Sequence, residues 1–214
     1  MTDDLKLISL PLFPLGTVLY PGGHLPLRIF EVRYLDMISK CHKAGAPFGV
    51  VALTEGAEVR QLEGGGFAAE AFNDVGTLAT IDELTTPQAG LLVIRCTGIQ
   101  RFQIDRRERL KHGLWVADVS RLADDQAIAV PEDLKQVATS LGKLIQTLQA
   151  RAVPADQMPL QPPYRLDDCA WVANRWCELL PMPLELKQRM MVLDNPLLRL
   201  ELVGDMLERT GIAL

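Results

Sequence analysis

Ser140-Leu-Gly-Lys143 comes nearest to a catalytic signature in this sequence, because S-x-x-K is the acyl-enzyme motif of penicillin-binding proteins. That chemistry needs an exposed serine at a helix start, with SDN and KTG partners elsewhere. Neither tripeptide occurs, and Ser140 falls in the middle of a helical pattern. It reads as a helix-surface serine. The remaining serines, Ser9, Ser39 and Ser120, lack a GxSxG elbow. His24, His42 and His112 stand far apart, and the adjacent pair Cys41-His42 would point in different directions from a helix, so no metal site is assigned. Gly142-Lys143 lacks the earlier glycine and the following hydroxyl of a phosphate-binding loop. Gly64-Gly-Gly66 has no helix after it to add a dipole. The pairs Asp124-Asp125 and Asp167-Asp168 sit at expected helix entrances, where the macrodipole favours negative charge. No catalytic residue, metal ligand or cofactor site is therefore assigned, and the chain is read as a binding module rather than an enzyme.

Arg106-Arg-Glu-Arg109 with Lys111 and His112 forms a basic cluster between two expected strands. It could contact phosphates, and RNA binding through residues 106–112 is the alternative function. No aromatic is interleaved for base stacking, so the cluster reads first as a charged hairpin that protects a sheet edge. The whole chain carries 22 basic and 27 acidic side chains, a formal charge of −5, which opposes a nonspecific polyanion partner. Nucleic acid is disfavoured.

The 214 residues, 48% hydrophobic and 23% charged, have an ordinary globular composition and can bury one large core or two modest ones. The four cysteines show no CxxC spacing and read as small buried hydrophobes in a reducing compartment. The acidic start, MTDDLKL, lacks the positive region of a signal peptide, and no apolar run is long enough to span a bilayer. A cytoplasmic location without membrane attachment is expected.

Two grammars divide the chain. Up to about residue 122, Pro- and Gly-rich turns separate short apolar runs, predicting short, bent or edge strands in a small barrel or curled sheet. These runs include residues 48–53, 76–81, 91–97, 99–104 and 114–119. One helix interrupts them, with Phe30, Tyr34, Met37, Ile38 and Cys41 on one face toward the core. Residues 64–73 are expected to form a flexible glycine-rich loop. From 123 to 214 the spacing is helical: Leu134 to Leu148 after Pro131, a helix capped by Asp167, one opened by Pro183, and one entered through Asn195-Pro196 and ended by Gly211. Four helices can pack as a small bundle.

An ordered series of residues carries a family resemblance. It runs Leu10-Pro-Leu-Phe-Pro14-Leu-Gly, Val18-Leu-Tyr-Pro21-Gly22, Leu25-Pro-Leu-Arg-Ile-Phe30-Glu31, Arg33-Tyr34 and Met37. It continues through Phe48-Gly-Val-Val51, Val75-Gly76-Thr77, Gly98 and Arg101-Phe102 to Glu185-Leu-Lys-Gln188, Arg199-Leu200 and Leu207. This series resembles the Lon protease N-terminal, or LON substrate-binding, domain over nearly the whole chain. The resemblance implies a bacterial-type α+β fold: a PUA-like β pseudo-barrel with one inserted helix, residues 1–122, then a bundle of about four helices, residues 123–214. It implies recognition of polypeptide segments or unfolded proteins. The ATPase and Ser-Lys protease domains of that enzyme have no counterpart in this sequence, so a stand-alone, non-enzymatic form is expected.

Most signature positions have structural explanations: Pro21-Gly22 a tight turn, and Glu31 a charge in the first helical turn. Pro14, Phe30, Arg33, Tyr34, Gly76, Arg101 and Phe102 are likewise read as structural. The candidate polypeptide-contacting residues are Phe67 and Phe72, aromatics on the Gly/Ala loop; the competing reading tucks both back onto the barrel.

Overall fold

A computed structural model describes residues 6–56, 62–63, 66–67, 70–154 and 157–211, with the backbone alone at 62–63 and 66–67. The chain divides into two compact units, one ending at Asp124 and one starting at Asp125.

In the first unit, alternation of apolar side chains builds a closed ring of strands. β1 (Lys6–Leu15) runs antiparallel to β9 (Trp115–Arg121) and parallel to β3 (Phe48–Glu55). β7 (Val75–Gln88) and β8 (Leu91–Arg109) complete the order β1-β9-β8-β7-β3 and back to β1. Closure removes the edges a curled sheet would leave open. β1 changes partner along its length: Pro11 is registered with Val116 of β9 and Pro14 with Val51 of β3, so each proline is paired on one side, and the strand bends at a bulge where Ser9 takes φ 53°. The runs expected at 91–97 and 99–104 are one strand of 19 residues. Its first half pairs with β2 (His24–Ile29) and its second half with β9.

Two apolar clusters fill this unit. Leu10, Leu12, Val51, Phe102 and Val119 share one; Phe13, Phe48, Val50, Ile94 and Val116 share the other with the inner face of α1 (Val32–Ala44). That face is Tyr34, Met37, Ile38 and Cys41, as the spacing predicts, and Gly45 ends the helix at φ 60°. The start differs. Phe30 precedes the helix and is exposed, and Glu31 is its N-cap residue in an extended conformation, not a member of the first turn. The glycine-rich segment also differs from the expected loop. β4 (Leu62–Glu63) pairs with β5 (Gly66–Phe67), and β6 (Ala71–Phe72) adds to β3.

The second unit contains a 3-10 turn at Glu132–Leu134 and four helices among the described residues: α2 (Lys135–Ala150), α3 (Cys169–Leu179), α4 (Leu184–Val192) and α5 (Pro196–Thr210). Asn195 caps α5, accepting from the Leu197 and Leu198 N–H groups, and Gly211 closes it at φ 69°. Asp168, one residue beyond the expected Asp167, caps α3 through the Trp171 N–H at 3.0 Å. Two further expectations are corrected. Ser140 is 8% exposed, and its hydroxyl has no partner among the described residues. Asp125 does not serve a helix entrance; it takes a bidentate pair from Arg199 at 2.7 and 3.1 Å. Arg199 also donates to Asn174 Oδ1 at 2.8 Å and to the Leu193 carbonyl. Such a pair fixes the geometry of α3, α5 and the entering chain more than it adds net stability. No helix among the described residues is long and apolar enough to cross a membrane.

Candidate functional site

The end of β2 and the start of α1 leave an open cleft of about 290 Å³, lined by residues 26–31 on one side and by Phe13, Leu15 and Tyr34 on the other. Local sequence explains its shape. Glu31 stays extended, and its carbonyl accepts from the Tyr34 and Leu35 N–H groups, both at 2.9 Å, so the chain turns sharply from strand into helix. Tyr34 stacks on Phe13 with ring centroids 4.0 Å apart, giving the cleft a rigid aromatic wall. At its mouth Phe30 is 56% exposed, beside Val32 at 81%. β2 pairs with β8 alone, so its other edge carries no strand among the described residues.

Beneath this corner lies a buried charge network. Arg33 donates from Nη2 to Glu70 Oε1 at 2.8 Å, from Nη1 to the Gly113 carbonyl at 2.9 Å, and from Nε to Glu31 at 3.0 Å. Its guanidinium covers the Tyr34 ring at 4.4 Å. Trp115 Nε1 donates to Glu70 Oε2 at 2.9 Å, and Arg109 stands 3.9 Å from the same oxygen. Burial works to raise the Glu70 carboxyl, but the Arg33 and Trp115 hydrogen bonds and the Arg33 and Arg109 charges outweigh it and hold it below the usual carboxylate range.

The residues expected to touch a polypeptide lie elsewhere. Phe72 is 5% exposed, edge-on to Trp115 with centroids 5.4 Å apart and covered by Arg107 at 4.7 Å, so it is a core residue and not an open contact. The backbone of Phe67 pairs with Leu62, and its side chain lies outside the described residues. The signature positions are largely packing devices. Gly22, at φ 71°, donates to the Gly98 carbonyl at 2.8 Å, locking the Pro21 turn to β8. A Cβ on Gly76 would stand 2.4 Å from the Val50 carbonyl, so only glycine fits there. Pro14 is buried opposite Val51, Phe102 is fully buried, and Arg101 donates to the Ala123 carbonyl at 3.2 Å. Phe30 was expected on the helix face toward the core and instead points outward, because the helix begins two residues later.

The basic cluster occupies the end of β8 and the turn after it, not a link between strands of its own. Arg107 pairs with Asp74 at 3.0 Å, and Arg109 lies over the Trp115 ring at 5.7 Å. A relay that the sequence hid occurs on the outer face of β8: Thr97 Oγ1 donates to Asp82 at 2.6 Å and stands 3.0 Å from His24 Nδ1. Only the strand register brings these three together. Its order is unsuited to nucleophilic catalysis, because the carboxylate rather than the imidazole accepts the hydroxyl's hydrogen bond. Among the described residues no three His, Cys, Asp or Glu side chains gather as a metal would require.

None of the curated proteins compared matches this chain. A Lon N-terminal domain protein from Xanthomonas campestris, known from its crystal structure, is 30% identical over 93% of this chain and 98% of its own, with a TM-score of 0.69. The N-terminal domain of a Mycobacterium avium complex Lon protease is 16% identical over 96% of this chain and 100% of its own, with a TM-score of 0.56, which shows a shared fold. The family model of the ATP-dependent protease La (LON) substrate-binding domain matches residues 9–209, and the chain belongs to that family.

Proposed function

We propose that this chain is a non-catalytic polypeptide-recognition module that seats apolar segments of unfolded proteins at the cleft between β2 and α1. Membership of the LON substrate-binding family makes it a substrate-recognition module in the broad sense. The finer reading rests on one observation: Phe30, 56% exposed, lines an open cleft, and the next apolar residue along the chain, Val32, is 81% exposed. Adjacent exposed apolar side chains beside a concavity are the ordinary mark of a contact site. Four free, buried cysteines fit a cytoplasmic setting. The RNA alternative draws less support, since Arg107 and Arg109 are already engaged by Asp74, Glu70 and aromatic rings.

The test is retention of a reduced, carboxymethylated polypeptide, read by fluorescence anisotropy. Phe30→Ser/Val32→Ser alters only exposed side chains, so the fold should survive. Binding should weaken by about tenfold or more. Unchanged binding in a folded double variant would overturn the reading.

A further inference from the structure

Building on that reading, we propose that the cleft selects extended apolar segments that carry an acidic side chain, with Arg28 as the residue that reads the acid. Arg28 lines the cleft and is exposed, and its side chain has no hydrogen-bond or ion-pair partner among the described residues. The other charges at this corner are neutralised in place: Glu31 accepts from Arg33 at 3.0 Å, and Arg33 is bound by Glu70. Of the two charged residues that line the cleft, Glu31 is therefore paired with Arg33, and Arg28 is the one whose side chain has no counter-ion among the described residues.

The occupant follows from that surface. Residues 26–29 of β2, whose other edge carries no strand among the described residues, and the turn residues Phe30 and Glu31 line the cleft as a continuous run, so a chain lying there meets backbone groups and side chains together. Pro26 has no N–H, so part of this edge cannot pair with another strand, and side-chain chemistry must carry more of the recognition. Phe30 and the partly exposed Leu27 offer apolar contact, and Arg28 offers a planar donor set suited to a carboxylate. With a formal charge of −5 the chain as a whole repels acidic ligands, so a preference for acid must arise locally.

Three fluorescent peptides test this, identical extended apolar sequences with Glu, Gln or Lys at one central position. The wild-type protein should bind the Glu peptide about fivefold tighter than the Lys peptide, with a preference that fades in salt. Arg28→Glu should reverse the order, while Arg106→Glu, which changes an exposed charge elsewhere in the unit, should leave it unchanged. Equal binding of all three peptides, or a preference that survives Arg28→Glu, overturns the inference and leaves the polypeptide-binding reading intact. Binding of none overturns both. Sedimentation separates the remaining occupant: a dimer dissociated by Phe30→Ser would mean that a second copy fills the cleft, and the inference falls.

Discussion

Arg33 and Glu70, 37 positions apart, share two hydrogen bonds, at 2.8 and 3.3 Å, with both side chains at or below 5% exposure. This pair ties the first turn of α1 to the residue that leads into β6. Its remaining capacity is taken up by Glu31, the Gly113 carbonyl and Trp115, so few valences are left unmet.

Removing one partner should cost far more than the pair contributes. Arg33→Met leaves a buried carboxylate with only the Trp115 hydrogen bond and the more distant Arg109, for a loss of about 3 kcal/mol by urea denaturation. Arg33→Met/Glu70→Leu should recover much of it. Because the Glu70 carboxyl is held below its ordinary value, its contribution is complete above the unfolded pKa and is lost as pH falls through the folded one. A loss under about 1 kcal/mol in Arg33→Met would show that Glu70 reaches solvent.

The pattern of apolar positions made the helices legible: Leu141 and Ile145 on α2 and Tyr34, Met37 and Ile38 on α1 are buried as their spacing demands. Closure of the barrel was only partly legible, since parallel pairing of β1 with β3 leaves no local trace in either segment. The site was not. Phe30 carries the same periodicity as Tyr34, and only the extended Glu31 N-cap decides that it faces outward. Phe72 stood in a glycine-rich context that suggested exposure, yet the ring of Trp115, far along the chain, covers it. Periodicity reports which face is apolar; it cannot report where an element begins or what a distant strand brings alongside.

Gly98 should tolerate no side chain. A Cβ there would stand 2.4 Å from the Tyr20 carbonyl oxygen and 3.0 Å from Leu19 Cγ. That carbonyl already accepts from Gly23 at 2.9 Å, so relief requires moving the whole Pro21-Gly22 turn. Gly98→Ala is expected to cost about 2–3 kcal/mol in thermal or urea unfolding. Gly45→Ala meets nothing within 4 Å and strains only a positive φ, so it should cost about 1 kcal/mol. Equal losses would contradict the close approach at Gly98.

Ser140→Ala should stabilise the protein. The hydroxyl is buried in α2 without a partner, and alanine both removes that desolvated group and favours the helix. A gain of about 1 kcal/mol is expected. A loss of similar size would show that the hydroxyl is hydrogen-bonded in solution.

Native thiol reactivity should be negligible. All four cysteines are buried, and Cys96 is pushed up to about 12 by burial and then by the charge of Asp82. Burial also raises Cys41 and Cys169. Since the thiolate is the reactive species, modification by an aromatic disulfide reagent should proceed only at the unfolding rate and reach four equivalents in denaturant. A fast native phase would contradict this burial.

Glu178 gives the helical unit a pH dependence of the opposite sign to that of Glu70. Burial pushes its carboxyl up to about 7, against the pull of Arg175, whose Nη2 lies 2.7 Å away, and of Lys187. A carboxyl whose folded pKa exceeds its unfolded value holds more protons folded than unfolded between the two, so stability falls as pH rises through that window. From the ordinary value of 4.5 to about 7, the penalty should grow to roughly 1–3 kcal/mol and then level off. Glu178→Gln cannot ionise and keeps an acceptor for Arg175, so its stability should be flatter across that range and should exceed the wild type above it. Urea midpoints read across pH 4.5 to 8 for both proteins test this. Parallel profiles would mean that the Arg175 pair fully offsets burial and keeps Glu178 charged throughout.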